Sequence, residues 1–337
     1  MRMLYVFSTV AIFIGSVVGA GFASGREIAL YFGSQSVAAP IVAGLAIGFL
    51  CYVFLEVGRL TDGKVLPTMF GKFHKVAEYL LRLSNFAVYA AMIAGSEFIV
   101  MTTFGIRGGG VVSGILCMAC ISFKKGLAVV NAVLTPLIIV LVGVLVARAE
   151  DFSVGAGFNF WSPLSYASMN LATGGYLISR YGVKASPLKN AVVGALTAAT
   201  ATALLVAVYY IVRENPTAEM PLFMFAEQKG FAVLSGVLIL AAIFTTMTSS
   251  LAATVENGGF VGAALATSAA FLIAIFGFAT LVNAVYPVIG CLGIGFTAWS
   301  VIVLLYKKYW NLSRFYPFFH KRNRRIHEPC EHAQNEG

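Results

Sequence analysis

Long apolar stretches separated by short polar segments run along most of the chain. Ten of them are candidate membrane-spanning helices, and none shows the strict apolar–polar alternation of an outer-membrane β-barrel strand. They cover residues 4–32, 37–58, 78–104, 109–123, 126–147, 161–182, 189–212, 230–255, 259–281 and 284–306. The fourth stretch is short for a bilayer. The pattern therefore predicts an all-α polytopic membrane protein with ten transmembrane helices.

The first apolar stretch carries four glycines near its centre, Gly15, Gly19, Gly21 and Gly25. Glycine is a poor helix former, so one interpretation is a helix that unwinds in mid-membrane. Freed backbone groups at that depth are costly unless something binds them, and such a break therefore lines a cavity. The alternative is that the glycines let a neighbouring helix pack closely. The stretch is interpreted as a retained helix and not a signal peptide, because hydrophobicity resumes after Gly25.

The sixth stretch repeats this feature halfway along the chain. Asn170, Thr173, Gly174 and Gly175 interrupt it near its centre. Because five spans precede it, a second half of five spans enters the membrane from the opposite side. Two inverted halves, each opened by an interrupted helix, are typical of secondary transporters with a midplane binding site. We therefore predict a 5+5 inverted repeat whose first and sixth helices unwind at mid-membrane.

Composition and charge agree with this class. Hydrophobic residues make up 59% of the 337 residues, charged residues make up 11%, and the mean hydropathy is +0.86. All three values lie far outside the range of soluble domains. Eighteen of the 23 Lys and Arg residues fall on one side of the predicted topology. The positive-inside rule then places both termini in the cytoplasm. The net charge of +9 follows from topology, and no nucleic-acid partner is expected.

The predicted organisation is one membrane domain followed by a tail. Residues 1–306 form the ten-helix domain, with repeat one over about 4–147 and repeat two over about 161–306. Residues 307–337 form a basic cytoplasmic tail.

The eighth stretch carries hydroxyl groups at helical spacing. Thr245, Thr248 and Ser249 stand at i, i+3 and i+4, which places them on one helix face. Hydroxyls and carbonyls are the ligands that a hard cation such as Na⁺ needs, and unwound carbonyls at Gly15 and Val18 would complete a shell of five oxygens. The alternative is that the hydroxyls bond carbonyls of their own helix.

A family resemblance rests on these two stretches. The segment GSVVGAG at 15–21, followed by TTMTSSLA at 245–252, resembles the first and eighth helices of sodium-coupled transporters with the LeuT-type fold. These belong to the amino acid-polyamine-organocation transporter superfamily. More narrowly, GAGFASGREI at 19–28 resembles the signature of YkvI-type bacterial membrane proteins. The resemblance implies a LeuT-type fold in a bacterial cytoplasmic (inner) membrane.

The resemblance also implies two binding sites. The sodium site consists of the carbonyls of Gly15, Val18 and Thr245 and the hydroxyls of Thr248 and Ser249. The substrate site lies where half-helix N-termini receive a carboxylate, and side chains of the first, third and sixth helices reach it. Its expected residues are Gly19, Gly21, Ser24, Asn85, Tyr89, Asn170, Thr173, Gly174 and Gly175. Packing is the alternative role of Tyr89.

Two acidic residues within the spans need an explanation of their own. A charge at the bilayer centre costs roughly 2.5 to 3.5 kcal/mol on insertion scales, so an acid there usually has a partner or a function. Glu27, beside Arg26, either gates or couples transport or forms a solvated pair with that arginine. Glu97 either carries a proton or makes a hydrogen bond across helices.

The sequence thus predicts a secondary transporter that moves a small organic solute, an amino acid or an amine, by Na⁺ symport. Its partners are that solute and the lipid bilayer, no cofactor is expected, and Na⁺ is the coupling ion. One alternative is proton coupling through Glu27 or Glu97. Another is a non-transporting membrane sensor or scaffold with the same fold. An enzyme is not expected, because no HExxH sequence, serine–base arrangement or cofactor motif is present.

Overall fold

The structure, a computed structural model, describes residues 2–120, 124–150, 155–183, 185–255 and 259–309. The described residues form helices joined by short connections. The helices are α1 (Arg2–Val17), α2 (Ala20–Ser24), α3 (Arg26–Phe32), α4 (Ala38–Leu60), α5 (Val65–Phe70), a 3₁₀ turn (Gly71–Phe73), α6 (His74–Phe104), α7 (Gly109–Cys120), α8 (Lys124–Val146), α9 (Trp161–Gly182), α10 (Pro187–Arg213), α11 (Pro221–Gln228), α12 (Ala232–Val255), α13 (Gly259–Ala274) and α14 (Phe278–Tyr309).

Helical segments lie at each of the ten predicted positions. Five of the described segments are long and apolar enough to cross a membrane: α4, α5 with α6, α10, α12 and α14. Shorter apolar helices lie within α1, α7, α8 and α13. Between the predicted spans, α5 and α11 add short helices that the hydrophobic pattern did not indicate.

The predicted boundary between the ninth and tenth spans is wrong. The helix α13 ends at Ala274 rather than near residue 281, and α14 begins at Phe278. Gly277 lies between them with φ +84°, a left-handed conformation that ends a helix and that glycine adopts without strain. Glu219 accepts a hydrogen bond from the Ala279 amide at 2.8 Å and so caps the new helix. At its other end α14 extends to Tyr309, past the predicted start of the tail, whose remainder lies outside the described residues.

The first and sixth helices differ in continuity. The first leaves the helical conformation at Val18 and Gly19, between α1 and α2, and turns again at Gly25 with φ +78° before α3. The helix that begins at Trp161 runs to Gly182 without an interruption, so the predicted unwinding of the sixth helix is not found. A glycine inside a helix costs only about 1 kcal/mol relative to alanine, which is less than the loss of backbone hydrogen bonds at membrane depth.

The helices form two packed groups. The helix α4 packs along α9 and α10, and α1 contacts the same two helices. In the second group α6 packs along α12, and both contact α7 and α13. The groups thus combine predicted spans one and two with six and seven, and three and four with eight and nine. This offset of five is the grouping expected of two related halves. The division into two repeats stays a prediction.

Backbones approach closely in the first group. A Cβ atom at Gly58 of α4 would overlap the Ser179 carbonyl of α9, and one at Gly182 would overlap the Leu55 carbonyl of α4. The four residues form what we call the α4–α9 contact. Close packing through small residues, considered above as the alternative role for the glycines of α1, is therefore the role of these two glycines.

Candidate functional site

The break in the first helix contacts α12. The amide of Ala20, the first residue after the break, donates a hydrogen bond to the Thr246 hydroxyl at 3.2 Å. The Thr246 hydroxyl thus partners a backbone donor at the start of α2, where the chain has just left the helix. Thr246 was not among the predicted site residues. The only signal for it in the sequence is its place within the hydroxyl-rich segment 245–250.

The predicted sodium ligands on α12 all use their hydroxyl hydrogens within that helix. The side chains of Thr245, Thr248 and Ser249 donate to the carbonyls of their own helix, as the alternative interpretation holds. Thr246 and Thr248 are two residues apart, about 200° around the helix, and so face opposite sides of α12. Gly15 lies in the last turn of α1, and Val18 lies at the break, where its amide donates to the Ile14 carbonyl at 2.7 Å.

Thr248 belongs instead to a buried polar cluster in the second helix group. Its hydroxyl accepts a hydrogen bond from the Cys117 thiol at 3.5 Å. Nearby, the Tyr89 hydroxyl pairs with Thr267 at 2.9 Å, and Tyr89 is fully buried. The Asn85 amide donates to the Leu81 carbonyl of its own helix at 2.8 Å. The structure therefore gives Tyr89 and Asn85 packing and intrahelical roles and does not place their polar groups at the break.

The other predicted substrate residues divide between the break and α9. Gly19 and Gly21 lie at the break, and the Ser24 hydroxyl donates to the Gly21 carbonyl at 2.9 Å. In α9, the Asn170 amide donates to the Tyr166 carbonyl at 3.0 Å. Thr173, Gly174 and Gly175 lie within α9, and their side chains are outside the described part of the structure.

Glu27 and Arg26 are both buried and point apart. The Arg26 guanidinium donates to the Ala218 carbonyl at 3.0 Å and to the Asn283 amide oxygen at 3.0 Å. The Glu27 side chain turns back to Gly21, where a Cβ atom would overlap its carboxylate. A solvated Arg26–Glu27 pair is therefore excluded. Among the described residues, no cationic group lies within ion-pair distance of Glu27.

Three tyrosines from three helices lie near Glu27, and we call them the tyrosine cluster. Tyr286 of α14 is close enough to hydrogen-bond the carboxylate, and Tyr31 and Tyr166 lie near it. The Tyr31 and Tyr166 ring centroids are 5.4 Å apart in an edge-on arrangement. The Tyr31 hydroxyl donates to the Tyr286 carbonyl at 2.9 Å. The Tyr166 hydroxyl is buried and makes no hydrogen bond of normal geometry to a described residue.

Glu97 has a different role. Its carboxylate accepts hydrogen bonds from the Gly108 amide at 3.0 Å and the Gly110 amide at 2.8 Å, at the start of α7. A carboxylate at a helix N-terminus satisfies free amides and complements the helix dipole. Glu97 is thus a cap supplied by a neighbouring helix, which is the hydrogen bond across helices considered from the sequence.

One end of the first helix group is closed by what we call the Gln35 closure. The Tyr209 hydroxyl donates to the Gln35 carbonyl at 2.6 Å. The Gln35 side chain donates to the Tyr31 carbonyl at 2.6 Å and accepts from the Asn159 amide at 3.0 Å. The Ser36 amide adds a bond of 2.6 Å to the Gly157 carbonyl.

The opposite end of the group is held by a second network. The Tyr5 hydroxyl donates to the Tyr181 carbonyl and to the Asn190 side chain, both at 3.1 Å. Asn190 in turn donates to Glu56 at 2.8 Å, and Glu56 pairs with Arg59 at 2.8 Å. The break at Val18–Gly19 therefore lies, along the first helix, between two hydrogen-bonded networks.

These features define the class of fold. The chain has the LeuT-type fold of secondary transporters, as two solved structures of Mhp1 show. One is Mhp1, a nucleobase-cation-symport-1 family transporter, in a closed conformation with bromovinylhydantoin bound, at a TM-score of 0.54 and 16% identity over 83% of this chain and 74% of that one. The other is the inward-facing conformation of Mhp1, at a TM-score of 0.55 and 15% identity over 89% and 75% of the two chains.

Sequence comparison adds one curated relative. The chain is 22% identical over 311 residues to the uncharacterized protein YyaD of Bacillus subtilis (strain 168), covering 83% of this chain and 91% of the relative. No protein-family profile matches the chain.

Proposed function

We propose that the chain is a secondary active transporter that moves a small organic solute, an amino acid or an amine, in symport with Na⁺ by alternating access. The observation that carries this proposal is the break at Val18–Gly19, which contacts α12 and lies between two hydrogen-bonded networks. The fold shared with Mhp1, a cation symporter by its description, supports the same conclusion.

The proposed sodium site lies between the break and α12. The carbonyls of Gly15, Val18 and Thr245 stay candidate ligands, since carbonyl oxygens suit a hard cation and the chain leaves the helix just after Gly15, at Val18. The contact between Ala20 and Thr246 adds the Thr246 hydroxyl to this set. Ser249 lies on the same side of α12, whereas Thr248 reaches the site only if α12 turns relative to the break.

Na⁺ is expected to raise the thermal stability of the purified protein relative to K⁺ at equal ionic strength. A ligand at a hundred times its Kd stabilises a protein by about 2.7 kcal/mol. Thr246→Val should weaken Na⁺ affinity at least tenfold, because a hydrogen bond or ligand contact to a charged group contributes about 1.5 to 3 kcal/mol. Thermal unfolding across a Na⁺ titration measures both effects.

The matched control is Thr248→Val on the opposite side of α12, which should keep the affinity of the parent. Loss of Na⁺ stabilisation in Thr248→Val but not in Thr246→Val would contradict the proposed position and favour the ligand set that the resemblance implies. A parent protein that is indifferent to Na⁺ would remove the sodium mechanism.

Proton coupling is the second candidate, and the burial of Glu27 without an ion pair to a described residue favours it. A buried carboxyl that binds and releases a proton suits such a mechanism. Under proton coupling, Na⁺ would not stabilise the parent protein, and Glu27→Gln would abolish proton-driven uptake while Thr246→Val still transported.

We further propose a bacterial cytoplasmic membrane location with both termini in the cytoplasm. Phe158 precedes α9 and Lys72 precedes α6, and both side chains are exposed at connections that the predicted topology assigns to opposite sides. A thiol reagent that does not cross membranes should modify Phe158→Cys in intact cells and spare Lys72→Cys until the cells are opened. The reverse result would invert the topology.

A further inference from the structure

A carboxylate is held at the break without a compensating cation from the described part of the chain. Glu27 is 7% exposed and lies against Gly21, the second residue after the break. The nearest cationic side chain in sequence, Arg26, is engaged by Ala218 and Asn283. The nearby Glu219 caps α14 and adds no positive charge. The groups that face Glu27 from α3, α9 and α14 are Tyr31, Tyr166 and Tyr286.

Such a carboxylate needs a positive partner when it is charged. Burial of an unpaired carboxylate is costly, and the group either stays protonated or binds a cation. A small inorganic cation needs a shell of several oxygens. Near Glu27 the described side chains include the aromatic rings of three tyrosines. Aromatic faces attract ammonium groups by cation–π interactions, which makes an organic cation the better match.

The Tyr166 hydroxyl is the second observation that indicates a ligand. It is completely buried, lies near the Asn170 side chain and makes no hydrogen bond of normal geometry to a described residue. A buried polar group without a partner lowers stability, so such a group needs an explanation, and a bound water, ion or ligand supplies one. Its ring contacts those of Tyr31 and Phe32, with centroids 5.4 and 5.2 Å apart.

We propose that Glu27 is the counter-ion for a positively charged amine of the transported solute, with the tyrosine cluster forming the wall around the ammonium group. The inference rests on the proposed transport function and narrows its solute from amino acids and amines to molecules that present an ammonium group at this site. The carboxylate of Glu27 accepts ammonium hydrogen bonds, the rings contribute cation–π contacts, and the Tyr166 hydroxyl adds one acceptor.

Protection of Glu27 from chemical modification tests this proposal without knowledge of the natural solute. Dicyclohexylcarbodiimide modifies carboxyl groups in apolar surroundings. Mass spectrometry of the peptide that contains Glu27 measures the rate at which this carboxyl group is modified. Ethylamine, 1,4-diaminobutane and phenethylamine are compared at millimolar concentration with propionate, succinate and phenylpropionate. At least one amine should slow the modification of Glu27 about tenfold. A tenfold change corresponds to the free energy of one hydrogen bond to a charged group, at the weaker end of its range. The matched acids should have no effect, and Glu97 serves as an internal control.

Two variants sharpen the test. Glu27→Gln keeps the shape of the side chain and should abolish thermal stabilisation by the protecting amine. Tyr166→Phe removes a hydroxyl without a hydrogen bond of normal geometry, so it should not lower stability but should weaken protection several-fold. Protection by the acids, by Na⁺ alone or by none of the amines would overturn the inference, as would full amine stabilisation of Glu27→Gln. If Na⁺ still stabilised the parent but not Thr246→Val, the proposed transport function would survive that failure.

Discussion

Alanine in place of Gly58 is expected to lower the free energy of unfolding by about 3 kcal/mol, the upper part of the range for overpacking. The added methyl group would overlap the carbonyl oxygen of Ser179 in α9. A side chain relieves such an overlap by changing its rotamer, but a backbone carbonyl moves only if the two helices separate. Gly182→Ala should have a similar effect through Leu55. Thermal unfolding in detergent measures the loss.

Gly143→Ala in α8 is the matched control, because no described atom beyond the adjacent backbone of α8 lies within 4 Å of the position that its Cβ would occupy. Alanine is the better helix former, so this variant should be neutral or more stable by up to about 1 kcal/mol. Equal losses for Gly58→Ala and Gly143→Ala would show that the α4–α9 contact is not as close as described.

Alanine in place of Glu97 should also lower the free energy of unfolding by about 3 kcal/mol or more. Two amides would lose a charged acceptor, and each such hydrogen bond contributes roughly 1.5 kcal/mol or more. The Glu97→Gln variant keeps one carbonyl oxygen as an acceptor, so its free energy of unfolding should fall by about half as much. Neither variant should change the response to Na⁺ or to amines, because Glu97 caps α7 and does not face the break. Thermal unfolding with and without these ligands measures both quantities.

Glu78→Ala provides the comparison on the same helix, since Glu78 makes no hydrogen bond to a described residue, and it should change stability little. A Glu97→Ala variant that is fully stable but has lost its response to cations would return Glu97 to the coupling role considered from the sequence.

The break in the first helix was accessible to sequence reasoning because four glycines within one apolar stretch are a strong local signal. The same reasoning failed for α9, where two glycines and two polar residues were too few to outweigh intact backbone hydrogen bonding. Gly277 was overlooked for a related reason. A single glycine between apolar residues carries no marker of a left-handed conformation until the Glu219 cap is seen.

The candidate site was harder to predict, because residue type does not identify a partner. Thr246 and Thr248 are the same residue two positions apart, yet one meets the break and the other meets Cys117. Only the rotation of α12 about its axis distinguishes them. Glu27 and Glu97 likewise looked equivalent as acids within spans. Their separate roles depend on whether a helix N-terminus or a group of tyrosines lies opposite, which is set by packing between distant segments.

The Gln35 closure has a kinetic consequence. Gln35 bonds Tyr31, Tyr209 and Asn159, so no one of these contacts separates without straining the others. A half-open state would leave buried donors or acceptors without partners, at a cost of about 1 to 3 kcal/mol each. Opening at this end should therefore be a single activated step, with a rate set by the simultaneous release of the three contacts and not by gradual loosening of the connection.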